Sequence, residues 1–202
     1  MLETRPGSIG LDEAGRGPLA GPVVAAAVMI PAGFDISGLN DSKQMSQEER
    51  EVQYDRIVAG CPHAIAMASP EEIDRMNILR ASLLAMSRAA KELSCRLADE
   101  LATPYEHAYV DGNRAPAGME KATAVVKGDA LIAEIAAASI LAKTFRDRLM
   151  VTYASEFPEY GFEVHFGYPT PLHLEALKVH GACAIHRLSF APVQALLQLE
   201  LF

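Results

Sequence analysis

Asp12 and Glu13 close a short apolar run, Asp111 closes another, and Asp129 opens an alanine-rich stretch. Carboxylates are hard oxygen donors, and several of them in one open site favour Mg²⁺ or Mn²⁺. Two ionised carboxylates 5 Å apart repel by about 3 kcal/mol at an effective dielectric near 20. Four sharing one place therefore require protonation or a cation. Two such ions roughly 3.5–4 Å apart activate a water and stabilise the leaving oxygen in phosphodiester hydrolysis. No side-chain nucleophile with a matching base stands out, so metal-assisted hydrolysis is the chemistry these residues suit.

The elements must bring distant residues together. Residues 8–12 read as a strand running into the sharp break Glu13-Ala14-Gly15-Arg16-Gly17-Pro18, and residues 23–30 as a buried strand ended by Pro31. The short connection makes these two strands hairpin-related. Ser46 with Glu49 forms a capping box for a helix that Gly60 closes, and residues 63–68 form a further strand. Ser69 and Pro70 open a helix, and Asn77 caps a long one running to about residue 98. Strands over 108–111 and 122–126 follow. An alanine-rich helix is expected from about 130 to 153, with Asp129 as a natural N-cap, then a surface loop over 157–170. Helices close the chain over 171–179 and from 192 to about 199. The order predicts an α/β fold: a mixed sheet flanked by helices in a single domain, residues 1–202, with a small helical C-terminal extension from about 171.

Three carboxylates fall where strands end or helices begin, the places where α/β sheets gather their reactive groups. Neighbours on a strand point to opposite faces, so Asp12 and Glu13 serve one site only if the chain bends at Ala14-Gly15 or if Glu13 contributes its backbone carbonyl. Asp147 lies about five helical turns beyond Asp129, too far to join it, and is expected to pair near Arg146 or Arg148.

The net charge of −8 gives no general attraction for nucleic acid. Residues 141–190 are balanced in charge and hold most of the histidines, so focused contacts and metal ions would have to hold phosphates there. No apolar run approaches a membrane span. Cys61, Cys95 and Cys183 are odd in number and widely spaced, which fits core thiols in a reducing, cytoplasmic setting. His173, His180 and His186 lack zinc-site spacing and are expected at the surface or hydrogen-bonded, with His173 a candidate for substrate contact.

Gly10-Leu11-Asp12-Glu13-Ala14-Gly15-Arg16-Gly17-Pro18-Leu19-Ala20-Gly21-Pro22 resembles the signature of the ribonuclease HII family. So do Leu39-Asn40-Asp41-Ser42-Lys43, Val110-Asp111-Gly112, Lys127-Gly128-Asp129, Ala138-Ser139-Ile140-Leu141-Ala142-Lys143 and His186-Arg187-Leu188-Ser189-Phe190. The resemblance implies an RNase H-like fold, with Asp12, Glu13, Asp111 and Asp129 holding two Mn²⁺ or Mg²⁺ ions. It implies cleavage 5′ to a ribonucleotide in an RNA/DNA hybrid or in duplex DNA with embedded ribonucleotides, leaving 3′-hydroxyl and 5′-phosphate ends. It assigns the 2′-hydroxyl to Gly15, Arg16 and Gly17, largely through backbone groups, and the adjoining deoxyribose to Tyr168. A backbone without Cβ allows that close approach, and the 2′-hydroxyl is what separates RNA from DNA. Lys43, Ser139 and Lys143 are expected near the phosphate backbone.

Where the family often has Lys and Gly, this chain has Phe166 and Pro169, which removes a cation and stiffens the loop. The final Gln198-Leu199-Glu200-Leu201-Phe202 is similar to segments that dock on the bacterial sliding clamp, with Gln198, Leu201 and Phe202 as the contacts. The first strand starts close to Met1, so the extra N-terminal domain of ribonuclease HIII is not expected. A monomer is the default. The alternatives are another RNase H-fold nuclease, such as a junction resolvase or exonuclease, and an inactive nucleic-acid-binding relative.

Overall fold

In the computed structural model, residues 2–101 and 105–199 are described. Strands β1 (Ile9–Ala14) and β2 (Val23–Met29) are followed by helix α1 (Gln47–Gly60), strand β3 (His63–Ala68) and helices α2 (Pro70–Met76) and α3 (Ile78–Leu101). Then come β4 (Ala108–Asp111), β5 (Ala122–Val125), α4 (Ala133–Glu156), α5 (Phe162–His165), α6 (Pro171–His180) and α7 (Ala191–Leu199). The five strands lie in the order β3-β2-β1-β4-β5. β1 pairs antiparallel with β2 and β2 with β3, whereas β1–β4 and β4–β5 are parallel. The sheet is mixed, as expected, and its hairpin-like half comes first.

Period-two alternation sorts the strand residues between two cores. Ile9, Leu11, Val23, Ala25, Ala27 and Val110 pack with Ala85, Ala89 and Leu93 of α3. On the other face Ala26 and Val28 meet Ala133, Ala137 and Ile140 of α4, with Ile57 of α1 behind them. The alanines of α4 let the helix lie close to the sheet. At Gly10 the approach is so close that a Cβ would collide with the backbone of Glu134 and Ile135.

The helix starts follow local chemistry. Ser46 and Ser69 each form a full capping box, with Glu49 and Glu72 respectively, and the Asn77 side chain accepts from the amide of Arg80 at the head of α3. Asp129 does not cap α4. It sits in a single 3-10 turn, Gly128–Ala130, entered through a left-handed Lys127 (φ 56°), and α4 starts only at Ala133.

Residues 157–170 are not a surface loop. They include α5 and bury Tyr160, Phe162 and His165 in a small core with Ala20, Met150 and Ile185. His173 and His186 are buried too and bond to each other, so His173 cannot meet a substrate at the surface. Cys61 is buried and Cys183 partly so, but Cys95 is exposed, and all three are free thiols. Among the described residues, no helix is long and apolar enough to cross a membrane.

Candidate active site

The parallel half of the sheet delivers the aspartates. β1, β4 and β5 are neighbours; Asp12 follows the last β1 residue paired with β4, Asp111 ends β4, and Asp129 lies just beyond β5. Leu11 pairs with Val110 and Asp111 with Val125, so the register brings the three carboxyl groups to one level. One oxygen from each lies within 4.8 Å of the others. Asp12 shares the α4-facing side of β1 with Gly10, while Glu13 shares the opposite side with Ile9 and Leu11. Glu13 is accordingly outside that cluster and bonds Arg16 at 3.2 Å. β1 stays paired with β2 through Ala14, and Glu13 lines the rim of the same cleft.

Backbone donors hold two of the aspartates. The Gly128 amide donates to Asp111 Oδ1 at 2.7 Å, and the Glu13 amide to Asp12 Oδ1 at 2.7 Å. A Cβ at Gly128 would meet the tip of the Ile135 side chain at 2.5 Å, so any side chain there would have to displace Ile135. Burial, followed by the charges of Glu13 and Asp111, raises the Asp12 carboxyl well above the usual range, and the Ser139 hydroxyl opposes this only in part. Burial raises Glu13 as well, against the pull of Arg16. Asp129 is raised by burial and by Asp111. Lys43 Nζ stands 4.0 Å from Asp129 Oδ2, and although burial acts the other way, Asp12 and Asp129 hold its ammonium above the usual value. Three clustered carboxyl groups, those of Asp12 and Asp129 buried and that of Asp111 half-buried, face one exposed lysine and leave surplus negative charge. All-oxygen donors at this spacing fit a hard divalent cation.

A cleft of about 380 Å³ opens above the cluster, lined by Glu13, Gly15, Arg16, Gly17, Lys43, Asp111, Ser139, Lys143 and Tyr168. Apart from the buried His173, every residue expected from the sequence to contact substrate lines this cleft. Ser139 and Ser42 share a 2.8 Å hydrogen bond, which ties α4 to the segment carrying Lys43. Tyr168 is 39% exposed, and a Cβ on Gly17 would come to 3.5 Å from its ring. Lys143 Nζ lies 5.3 Å from the Phe166 ring centre and 5.8 Å from that of Tyr168, so α4 brings a cation beside the loop where Phe166 replaces one.

Asp147 is not part of the cluster, and its partners are neither Arg146 nor Arg148. It bonds Lys143 at 2.8 Å and faces Arg50 at 3.6 Å. Arg148 bonds Glu51 of α1 instead. Gln198 lies at the end of α7, where its side chain is outside the described residues, as are Leu201 and Phe202.

The sequence suggests no role for Arg187, and for Arg146 only a pairing with Asp147 that the structure does not show. Both are buried, and both donate only to backbone carbonyls. For Arg187 the only sequence signal is its place in the His186–Phe190 motif, since a buried arginine without a carboxylate partner is unusual.

The family model described as Ribonuclease HII matches residues 9–193. A ribonuclease HII from Burkholderia ambifaria is 52% identical over 199 residues, covering 97% of this chain and 88% of that protein. The ribonuclease H2 from Pyrococcus horikoshii superposes with a TM-score of 0.71 at 27% identity, over 95% of this chain and 97% of that one. A chain of the PCNA:RNase HII complex from Archaeoglobus fulgidus gives 0.73 at 28%, over 94% and 96%. The matched residues span all three aspartates and the whole rim of the cleft.

Proposed function

The chain belongs to the ribonuclease HII family, and from this membership we propose how its own residues divide the work. It is an endonuclease of the ribonuclease H type, a divalent-metal phosphodiester hydrolase acting on RNA/DNA substrates. The finer reading is cleavage 5′ to a ribonucleotide, in a hybrid or in duplex DNA with embedded ribonucleotides, leaving 3′-hydroxyl and 5′-phosphate ends. One observation carries it: three aspartates, two of them buried, lie within 4.8 Å of one another, and Asp111 opens into the same cleft as the glycine turn and Tyr168.

Asp12, Asp111 and Asp129 hold the cations, two Mn²⁺ or Mg²⁺, and Glu13 completes the set through its carboxylate or its backbone carbonyl. Cations bound there supply charge neutralisation and Lewis acidity at the phosphodiester. Gly128 fixes the direction of Asp111. Lys43, Ser139 and Lys143 meet the nucleic-acid backbone. The Gly15-Arg16-Gly17 turn receives the 2′-hydroxyl, and the exposed Tyr168 ring packs on the next sugar.

The test is a DNA duplex with one ribonucleotide, incubated with Mg²⁺ or Mn²⁺. A single cut 5′ to that nucleotide, lost in Asp12→Asn and Asp111→Asn, is expected. Folded protein that makes no cut with either metal, or that cuts four-way junctions or DNA ends instead, would overturn this reading.

The terminal Gln198, Leu201 and Phe202 dock on a DNA sliding clamp. Support comes from the apolar-plus-Gln pattern and from the likeness to a chain of the PCNA:RNase HII complex. Removing residues 198–202 should abolish co-elution with the clamp while cleavage persists, and unchanged co-elution would refute the contact. The free thiols suit a reducing cytoplasm, where the enzyme works as a monomer.

A further inference from the structure

The connection between β1 and β2 is held mainly through its carbonyl oxygens, while the Leu19 and Gly21 amides donate to the Gly167 and Ile185 carbonyls, each at 2.8 Å. Arg187 Nη2 donates to Gly15 O at 2.6 Å, Nη1 to Arg16 O at 3.2 Å and Nε to Gly21 O at 2.9 Å. Arg146 Nη2 donates to Ala20 O at 3.0 Å and Nε to Pro22 O at 3.1 Å, while its Nη1 reaches Phe166 O at 3.0 Å. The Arg187 amide adds a bond to Leu19 O at 2.8 Å. Arg187 is 0% exposed and Arg146 1%. Burial, with Arg146 nearby, pushes the Arg187 guanidinium down to about 9, and burial pushes Arg146 to about 10, so both stay charged at neutral pH. Two cations are thus buried against carbonyl dipoles, with all three nitrogens of each guanidinium engaged.

Peptide planes give this bracing a direction. The described bonds are all trans, so the carbonyl of one residue and the amide of the next point opposite ways. With the Gly15 and Arg16 carbonyls drawn onto Arg187, the amides of Arg16 and Gly17 point away from it. Both residues line the cleft on the other side. Gly15 adopts φ +96°, and a Cβ there would collide with Arg146, so the turn fits over the two guanidinium groups only with glycine at that position.

We propose that Arg187 is the positioning residue for ribose recognition, holding the Gly15 and Arg16 carbonyls so that the Arg16 and Gly17 amides face the cleft as donors to a 2′-hydroxyl. Arg146 joins this turn to the Tyr168 loop through Phe166 O, so both ribose-facing parts move as one unit. The inference rests on the ribonuclease reading of the same cleft.

Arg187→Lys keeps the charge but cannot fork to three carbonyls. With a single-ribonucleotide duplex as substrate and the all-DNA duplex as competitor, KM for the first should rise at least about tenfold while Ki for the second stays unchanged. A merely structural role would weaken both alike, and an unchanged ratio in the folded variant overturns the proposal. If the wild-type enzyme does not cut the duplex, the ribonuclease reading fails and takes this inference with it. If the wild type cuts and the variant keeps its selectivity, only the inference fails. Should Arg187→Lys not fold, hydrogen exchange on the wild type decides. The ribonucleotide duplex should slow exchange at the Arg16 and Gly17 amides and the all-DNA duplex should not; equal protection by both refutes the proposal.

Discussion

His173 and His186 face each other Nε2 to Nε2 at 3.0 Å, with room for one proton between them. The Cys183 amide donates to His186 Nδ1 at 2.9 Å, which leaves the His186 proton on Nε2. His173 accepts that proton's bond and donates its own Nδ1–H to the Tyr168 carbonyl at 3.0 Å. His165 stacks on His173 at 4.5 Å between ring centres, and Tyr160 packs against His186. The relay from Cys183 to Tyr168 is complete only while both rings are neutral.

Acid should therefore undo this part of the fold. Burial pushes both rings down to about 4, below the unfolded value near 6.5. A group depressed on folding contributes stability that is full above about 6.5 and is lost as pH falls toward 4. Denaturant melts from pH 7 to pH 4 should show the wild type losing stability more steeply than His173→Leu, which starts lower by about 1–3 kcal/mol. Parallel curves would rule the relay out.

Two glycines of one turn should fail in different ways. Gly15→Ala combines a positive φ with a collision against Arg146, and should cost about 2–4 kcal/mol of stability. Gly17→Ala meets only ordinary contact with the Tyr168 ring and should melt within about 0.5 kcal/mol of the wild type. Its cleavage of a single-ribonucleotide duplex should nevertheless fall at least tenfold, because the added methyl occupies the approach of the sugar. Calorimetry beside single-turnover kinetics separates the two.

Removing a site carboxylate should trade activity for stability. Asp12 is buried among like charges, so Asp12→Asn should raise metal-free stability by about 1 kcal/mol. Cleavage should fall at least a hundredfold, since several kcal/mol of charge stabilisation is lost at the phosphodiester. Melting in chelator, with and without added Mn²⁺, reads both effects; a destabilised metal-free variant would contradict the electrostatic account.

Asp147 provides a control outside the cluster. It balances Lys143 and Arg50, so Asp147→Asn should cost about 1–3 kcal/mol of stability. Its kcat should stay within about threefold of the wild type, with a modest rise in KM as Lys143 loses its tether. A collapse of kcat would place Asp147 in the chemistry after all.

Local signals were readable where they act over a few residues. The Ser46 capping box, the Ser69 helix cap, the strand ends to within two residues and the opposite facing of Asp12 and Glu13 follow from spacing alone. The gathering of Asp12, Asp111 and Asp129 was suggested by strand ends but depended on the parallel order of β1, β4 and β5. The packed segment over 157–170 was missed because its glycines and aromatics are also what a loop would carry. Its order comes from contacts with Ala20, Met150 and Ile185 far along the chain. Asp147 and Lys143 stand at helical i,i+4 spacing, a signal that was present and not used. Arg50, which completes the trio, comes from another helix and left no local trace.

The bracing by Arg187 also has a history in time. Its bonds to Gly15 and Arg16 close over 172 and 171 residues of chain. At about 5–20 residues per second, the turn exists on the ribosome for roughly 10–30 s before that arginine is made. With Arg187 in its proposed role, the nascent chain lacks for most of its synthesis the cation that would orient the turn, and discrimination between RNA and DNA would be among its last properties to mature.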